Sequence, residues 1–110
     1  MPEHAGRPAR LLVADDNKVN RLLLGRSLEL QGHSVATADN GRVALEMLHR
    51  EPFDLMLLDM EMPEMDGFQV LAALRGDLRL RDLPVIVTSS LESVETVVRC
   101  IELGAEDSLT

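Results

Sequence analysis

The sequence predicts an α/β fold built on a parallel sheet, and three observations carry that prediction. Four short apolar runs recur along the chain: LLVA (11–14), SVATA (34–38), DLMLL (54–58) and PVIVT (84–88). Their apolarity is continuous rather than alternating, the pattern of strands covered on both faces. Between them lie segments with helical spacing, and turn or cap residues punctuate the boundaries. The alternation β-α-β-α-β-α-β-α implies layered packing with right-handed crossovers.

The elements follow in order. Residues 1–9 hold two prolines and a glycine without apolar periodicity, so they are read as a leader or linker ahead of a single domain spanning 10–110. Val19, Leu22, Leu23 and Leu30 mark the expected apolar stripe of the first helix, and Val43, Met47 and Leu48 that of the second. Phe68, Leu71 and Leu74 mark the third helix; Val94, Val97, Val98 and Ile101 mark the fourth. Asp39-Asn40-Gly41 is placed to turn and cap the second helix, Asp66 to cap the third at Gly67, and Gly104 to close the fourth. The final EDSLT (106–110) is expected to begin a fifth strand.

Bulk properties narrow the function. At 110 residues and 45% hydrophobic content the chain is long enough for one packed core. Nineteen acidic against eleven basic residues give a net charge of −8, a field that repels phosphate backbones and anionic membranes. Nucleic acid and membrane are therefore not expected partners of this domain. Cys100 stands alone and cannot form an internal disulfide, no apolar run is long enough to span a membrane, and a cytoplasmic location is expected. His4, His33 and His49 lack metal-ligand spacing and are read as surface residues, while the six methionines are read as gap fillers.

The informative chemistry is acidic. Asp15 and Asp16 follow the first apolar run and Asp59 ends the third. In a parallel sheet the carboxyl ends of the strands share one edge, so residues more than forty positions apart can line one pocket there. Thr88 ends the fourth run at the same edge. Crowded carboxylates repel unless a proton or a hard cation intervenes, and an all-oxygen site suits Mg²⁺. A strand-end carboxylate can also serve as the nucleophile in phosphoryl transfer.

Taken together, ADDNKVNRLLL (14–24), LLDMEMPEMDG (57–67), VIVTSS (85–90) and GAED (104–107) resemble a response-regulator receiver domain over about residues 10–110. The resemblance implies a flavodoxin-like, doubly wound parallel sheet of strand order 2-1-3-4-5. It implies Asp59 as phosphoacceptor, Asp16 as a direct Mg²⁺ ligand, Asp15 as a ligand through water, and the backbone carbonyl of Glu61 as a further ligand. Thr88 would bind a phosphoryl oxygen, while Glu61 and Ser90 would tune access of water. The phosphoryl donor would be a phosphohistidine on a sensor histidine kinase or a histidine phosphotransfer protein, and the signal would pass to an output domain or partner. The DNKVNR pattern is similar to that of receivers within multidomain proteins.

The sequence departs from the family in two places. The family's Lys-Pro pair would follow EDSLT, yet the sequence ends at Thr110, and its only lysine is Lys18. Ser108 stands where an aromatic residue is frequent. A short last strand without its closing helix leads to the expectation of slow phosphorylation and of self-association through an incompletely covered face. Two other readings compete. A haloacid dehalogenase-type phosphohydrolase also uses a strand-end Asp with Mg²⁺, but expects a second Asp two positions on, where this chain has Glu61. The other is an interaction module that keeps the fold without being phosphorylated.

Overall fold

The computed structural model describes residues 8–88. The expected fourth helix, fifth strand, Ser90 and Cys100, and most of the 1–9 leader, lie outside the described residues. Within them the chain runs β1 (Arg10–Ala14), α1 (Lys18–Leu30), β2 (Ser34–Ala38), α2 (Gly41–Arg50), β3 (Leu55–Asp59), α3 (Gly67–Arg75) and β4 (Val85–Thr88). Ala9 is already tied to the domain, its N–H donating to His33 Nδ1 at 3.1 Å and its carbonyl accepting from Ser34 N at 2.9 Å.

All strands are parallel, in the order β2-β1-β3-β4. That is the doubly wound, flavodoxin-like order expected for the first four strands. β3 is buried along its whole length, and β1 from Leu11 onward, because each has a strand on both sides and helices on both faces. Side chains alternate between two apolar layers. Leu12, Ala14, Met56 and Leu58 point to α2 and α3, meeting Ala44, Leu48, Val70 and Leu74. Leu11, Val13, Leu55, Leu57 and Ile86 point the other way, meeting Leu24 and Leu28 of α1. Each fully buried leucine contributes roughly 1.5–3 kcal/mol relative to exposure.

Helix starts follow from short polar caps. Asn17 Oδ1 accepts from Asn20 N, and Asn40 Oδ1 from Val43 N, at 3.0 and 2.8 Å. Asp66 caps α3 as expected and forms a reciprocal box with Gln69. Gly67, directly behind the cap, permits the loop after β3 to fold tightly: a Cβ there would sit 2.3 Å from Met60 Sδ and 2.7 Å from Met60 Cα. Glu64, at φ 66°, carries the left-handed turn of the same loop.

The stripe expected for α1 is corrected by the structure. Val19, Leu22, Leu23 and Leu30 are 51–87% exposed, whereas Leu24, Gly25 and Leu28 are buried. The helix carries apolar residues on two sides. The side that turns inward is the one whose first member, Arg21, is bonded to the end of β1. Phe68 of α3 is likewise 71% exposed, and Val70 is the residue of that helix that is fully buried.

Candidate functional site

The site forms where β1 and β3 end side by side. Ala14 pairs with Leu58 and Asp59 with Thr88, so Asp15, Asp59 and Thr88 emerge at the carboxyl edge of three adjacent strands. Carboxylate oxygens of Asp15, Asp16 and Asp59 lie within 4.8 Å of one another. Asp15 and Asp59 are buried and Asp16 is exposed, so the cluster is a shallow well with one acidic lip.

Asp15 is held on every side. Its N–H donates to Ala38 O at 3.1 Å. Its Oδ1 accepts from Asn17 N at 2.8 Å, its Oδ2 lies 3.4 Å from Asn20 Nδ2, and its carbonyl accepts from Arg21 Nη1 at 2.7 Å. Among the described residues Asp59 has one such support, Glu61 N donating to Oδ1 at 3.0 Å, and none of them gives Oδ2 a backbone donor. The loop behind Asp59 is pinned by Met60 N to Thr88 O and Gly67 N to Met60 O, both 3.3 Å. Thr88 Oγ1 lies 3.5 Å from Leu58 O, a long and easily exchanged hydrogen bond.

Electrostatics mark Asp59 as the unusual member. Its pKa is raised from 3.8 to about 6. Burial does most of this; the Glu61 N–H pulls it back, and the Asp15 and Asp16 charges push it further up. Near neutral pH the carboxylate is ionised, and among the described residues Glu61 N–H is the donor that compensates it. An all-oxygen, net negative well of this kind fits a hard divalent cation, with Asp16 and Asp59 offering the least encumbered oxygens.

Of the residues singled out from sequence, Asp15, Asp16, Asp59 and Thr88 come together at this edge. Glu61 is exposed and reaches the cluster through its N–H, and Lys18 is exposed at the start of α1. Asn20 and Arg21 build the site but escaped the sequence reading. Their signal was present: Arg21, Leu24, Gly25 and Leu28 form an i, i+3, i+4, i+7 row in which only the first is charged.

Comparison with known proteins agrees with this geometry. Residues 11–110 match the family model for the response regulator receiver domain. The chain is 40% identical over 104 residues to the response regulator MprA of Mycolicibacterium vanbaalenii, covering 93% of this chain and 43% of that protein. It is 44% identical over 104 residues to a protein-glutamate methylesterase/protein-glutamine glutaminase of Treponema pallidum, covering 91% of this chain and 25% of that protein. The chain thus spans less than half the length of these two relatives. Among solved structures, the signal receiver domain of a signal transduction histidine kinase from Syntrophus aciditrophicus superposes with a TM-score of 0.74 at 35% identity, covering 93% of this chain and 77% of the other. A response regulator receiver protein from Pseudomonas putida gives 0.74 at 33% identity, covering 93% and 84%.

Proposed function

Because the chain belongs to the response regulator receiver family, a family of signalling domains that interact with histidine kinases and output domains, we propose that it accepts a phosphoryl group on Asp59 from a phosphohistidine, with Mg²⁺ in the acidic well. The observation that carries this reading is the Asp59 carboxylate itself. It is buried, raised in pKa, and accepts the Glu61 N–H through Oδ1.

The Oδ2 lone pair attacks phosphorus, forming the O–P bond of an aspartyl phosphate as the P–N bond to the donor imidazole breaks, and the imidazole leaves carrying its proton. Asp15, Asp16, Asp59 and the Glu61 carbonyl would hold the ion. Bound there, it neutralises charge on the transferring phosphoryl oxygens. Thr88 exchanges its long bond to Leu58 O for a phosphoryl oxygen. Glu61 would tune the access of water to the acyl phosphate, and the same role is proposed for Ser90. No described helix is long and apolar enough to cross a membrane, and the proposed setting is the cytoplasm, with a sensor kinase or phosphotransfer protein as donor and an output domain as recipient.

The test is incubation with a small acyl phosphate and Mg²⁺ followed by intact mass. Wild type should gain one phosphoryl group and Asp59→Asn none. Calorimetry should show Mg²⁺ uptake that Asp16→Ala removes. Equal phosphorylation of Asp59→Asn would place the acceptor elsewhere.

A further inference from the structure

Arg21 is half-buried at the head of the row that α1 turns toward the sheet, followed inward by Leu24, Gly25 and Leu28. An arginine in that row must find an acceptor, and it finds one in main chain: Nη1 donates to the Asp15 carbonyl at 2.7 Å. A bond this short to a guanidinium is charge-assisted and among the stronger kinds. It joins the first turn of α1 to Asp15, the residue directly after β1 and a member of the acidic well.

We propose that Arg21 is a positioning residue for the carboxylate cluster, setting its Mg²⁺ affinity through Asp15; this rests on the metal-binding reading above. The two peptide groups flanking the Asp15 Cα are fixed separately, the N–H by Ala38 O and the carbonyl by Arg21. With both fixed, the carboxylate has a single direction in which Asn17 N–H and Asn20 Nδ2 can meet its two oxygens. Without Arg21 the Asp15–Asp16 peptide is free to turn its carbonyl toward water, and the next peptide, which carries Asn17 N–H, shifts across the Asp16 Cα in response. Asp15 then loses its register against Asp59 and Asp16.

A second effect has the opposite sign. The guanidinium is a cation close to the site, and its charge alone opposes a second cation, so removing it would tighten Mg²⁺ binding if charge were its whole contribution. Loss of a partner that orients a ligand typically costs about 10–100-fold in metal affinity. The positioning effect is therefore the one expected to decide the outcome.

The experiment is Mg²⁺ titration of the full 110-residue chain, by calorimetry or NMR, for wild type, Arg21→Met, Arg21→Lys, Asp15→Asn and the double variant Arg21→Met/Asp15→Asn. Arg21→Met should weaken binding by about tenfold or more in the wild-type background. It should change binding by less than about twofold when Asp15 is already Asn, because the two substitutions break one pathway. A general loosening of the fold would lower affinity in both backgrounds alike. If Arg21→Met does not fold by far-UV circular dichroism, Arg21→Lys carries the test, since it keeps the charge but loses the planar fork. The expectation is then a loss of about threefold that vanishes with Asp15→Asn. Unchanged or tighter binding, or equal losses in both backgrounds, overturns the proposal. Wild type that takes up no Mg²⁺ overturns the metal reading itself, and this inference with it.

Discussion

The two edges of the sheet treat charge in opposite ways. At the carboxyl edge Asp15, Asp16 and Asp59 converge within 4.8 Å with like sign. At the amino edge unlike charges are matched. Arg10 N donates to Asp54 Oδ2 at 2.7 Å, Nη1 to Ser34 Oγ at 2.7 Å, Nη2 bonds the Glu51 carboxylate, and the guanidinium lies 5.2 Å from the centroid of Phe53. Beside it His49 at the end of α2 reaches Asp77 beyond α3. One edge closes its own electrostatic account and contributes stability. The other, among the described residues, gathers like charge without a salt bridge to a cation, and so keeps a binding energy for something from outside.

The largest effect expected from this contrast is at Asp59. In metal-free buffer its folded pKa of about 6 exceeds the ordinary 3.8, so the folded state holds the extra proton between those values. Stability should therefore fall as pH rises from about 4 to 6 and stay lower above, by on the order of 1–3 kcal/mol. Asp59→Asn, which keeps an acceptor for Glu61 N–H, should remove that slope and be the more stable protein at pH 7.5. Urea unfolding followed by circular dichroism measures both. A less stable variant at pH 7.5 would break the contrast between the edges.

A smaller effect of opposite sign is expected at the matched edge. Arg10→Ala loses a half-exposed ion pair and a cation–π contact and should destabilise by about 1–2 kcal/mol, with Mg²⁺ affinity unchanged. A change in Mg²⁺ affinity would mean that the two edges are coupled. The smallest effect is at His49, whose ring nitrogens lie 2.8 Å from Leu45 O and from Asp77 Oδ2. Both partners are acceptors, so the protonated ring, which donates from both nitrogens, is the form that satisfies them together. Its pKa is raised from 6.5, by the Asp77 hydrogen bond first and the Leu45 carbonyl next. The contribution is complete below pH 6.5 and lost as pH rises through the raised value. His49→Gln should cost a little stability at pH 6 and none at pH 9; an equal cost at both would mean that packing, not charge, is lost.

Much of this arrangement was legible before any coordinates. The strands were, because LLVA and DLMLL are too uniformly apolar to face water on either side. So was the convergence of Asp15, Asp16 and Asp59, because parallel strands deliver their ends to one edge. The inward face of α1 was not. Val19, Leu22, Leu23 and Leu30 form as good a stripe as Leu24 and Leu28, and nothing local in the sequence favours the second, whose head, Arg21, bonds the Asp15 carbonyl. His33, read as a surface residue, is half-buried and accepts the Ala9 N–H. The pairing of His49 with Asp77 left no local trace either, since the two meet only after α3 has docked.

The strand order also has a history in time. β1 is made first and lies inside the sheet, β2 joins one side of it, β3 the other, and β4 then adds outside β3. Each later strand described here emerges to find a neighbour already present, and none must be inserted between two that have paired. The sheet can grow outward in the order in which the ribosome releases it. Asp15, waiting at the end of the first strand, acquires its buried counterpart only when the third arrives.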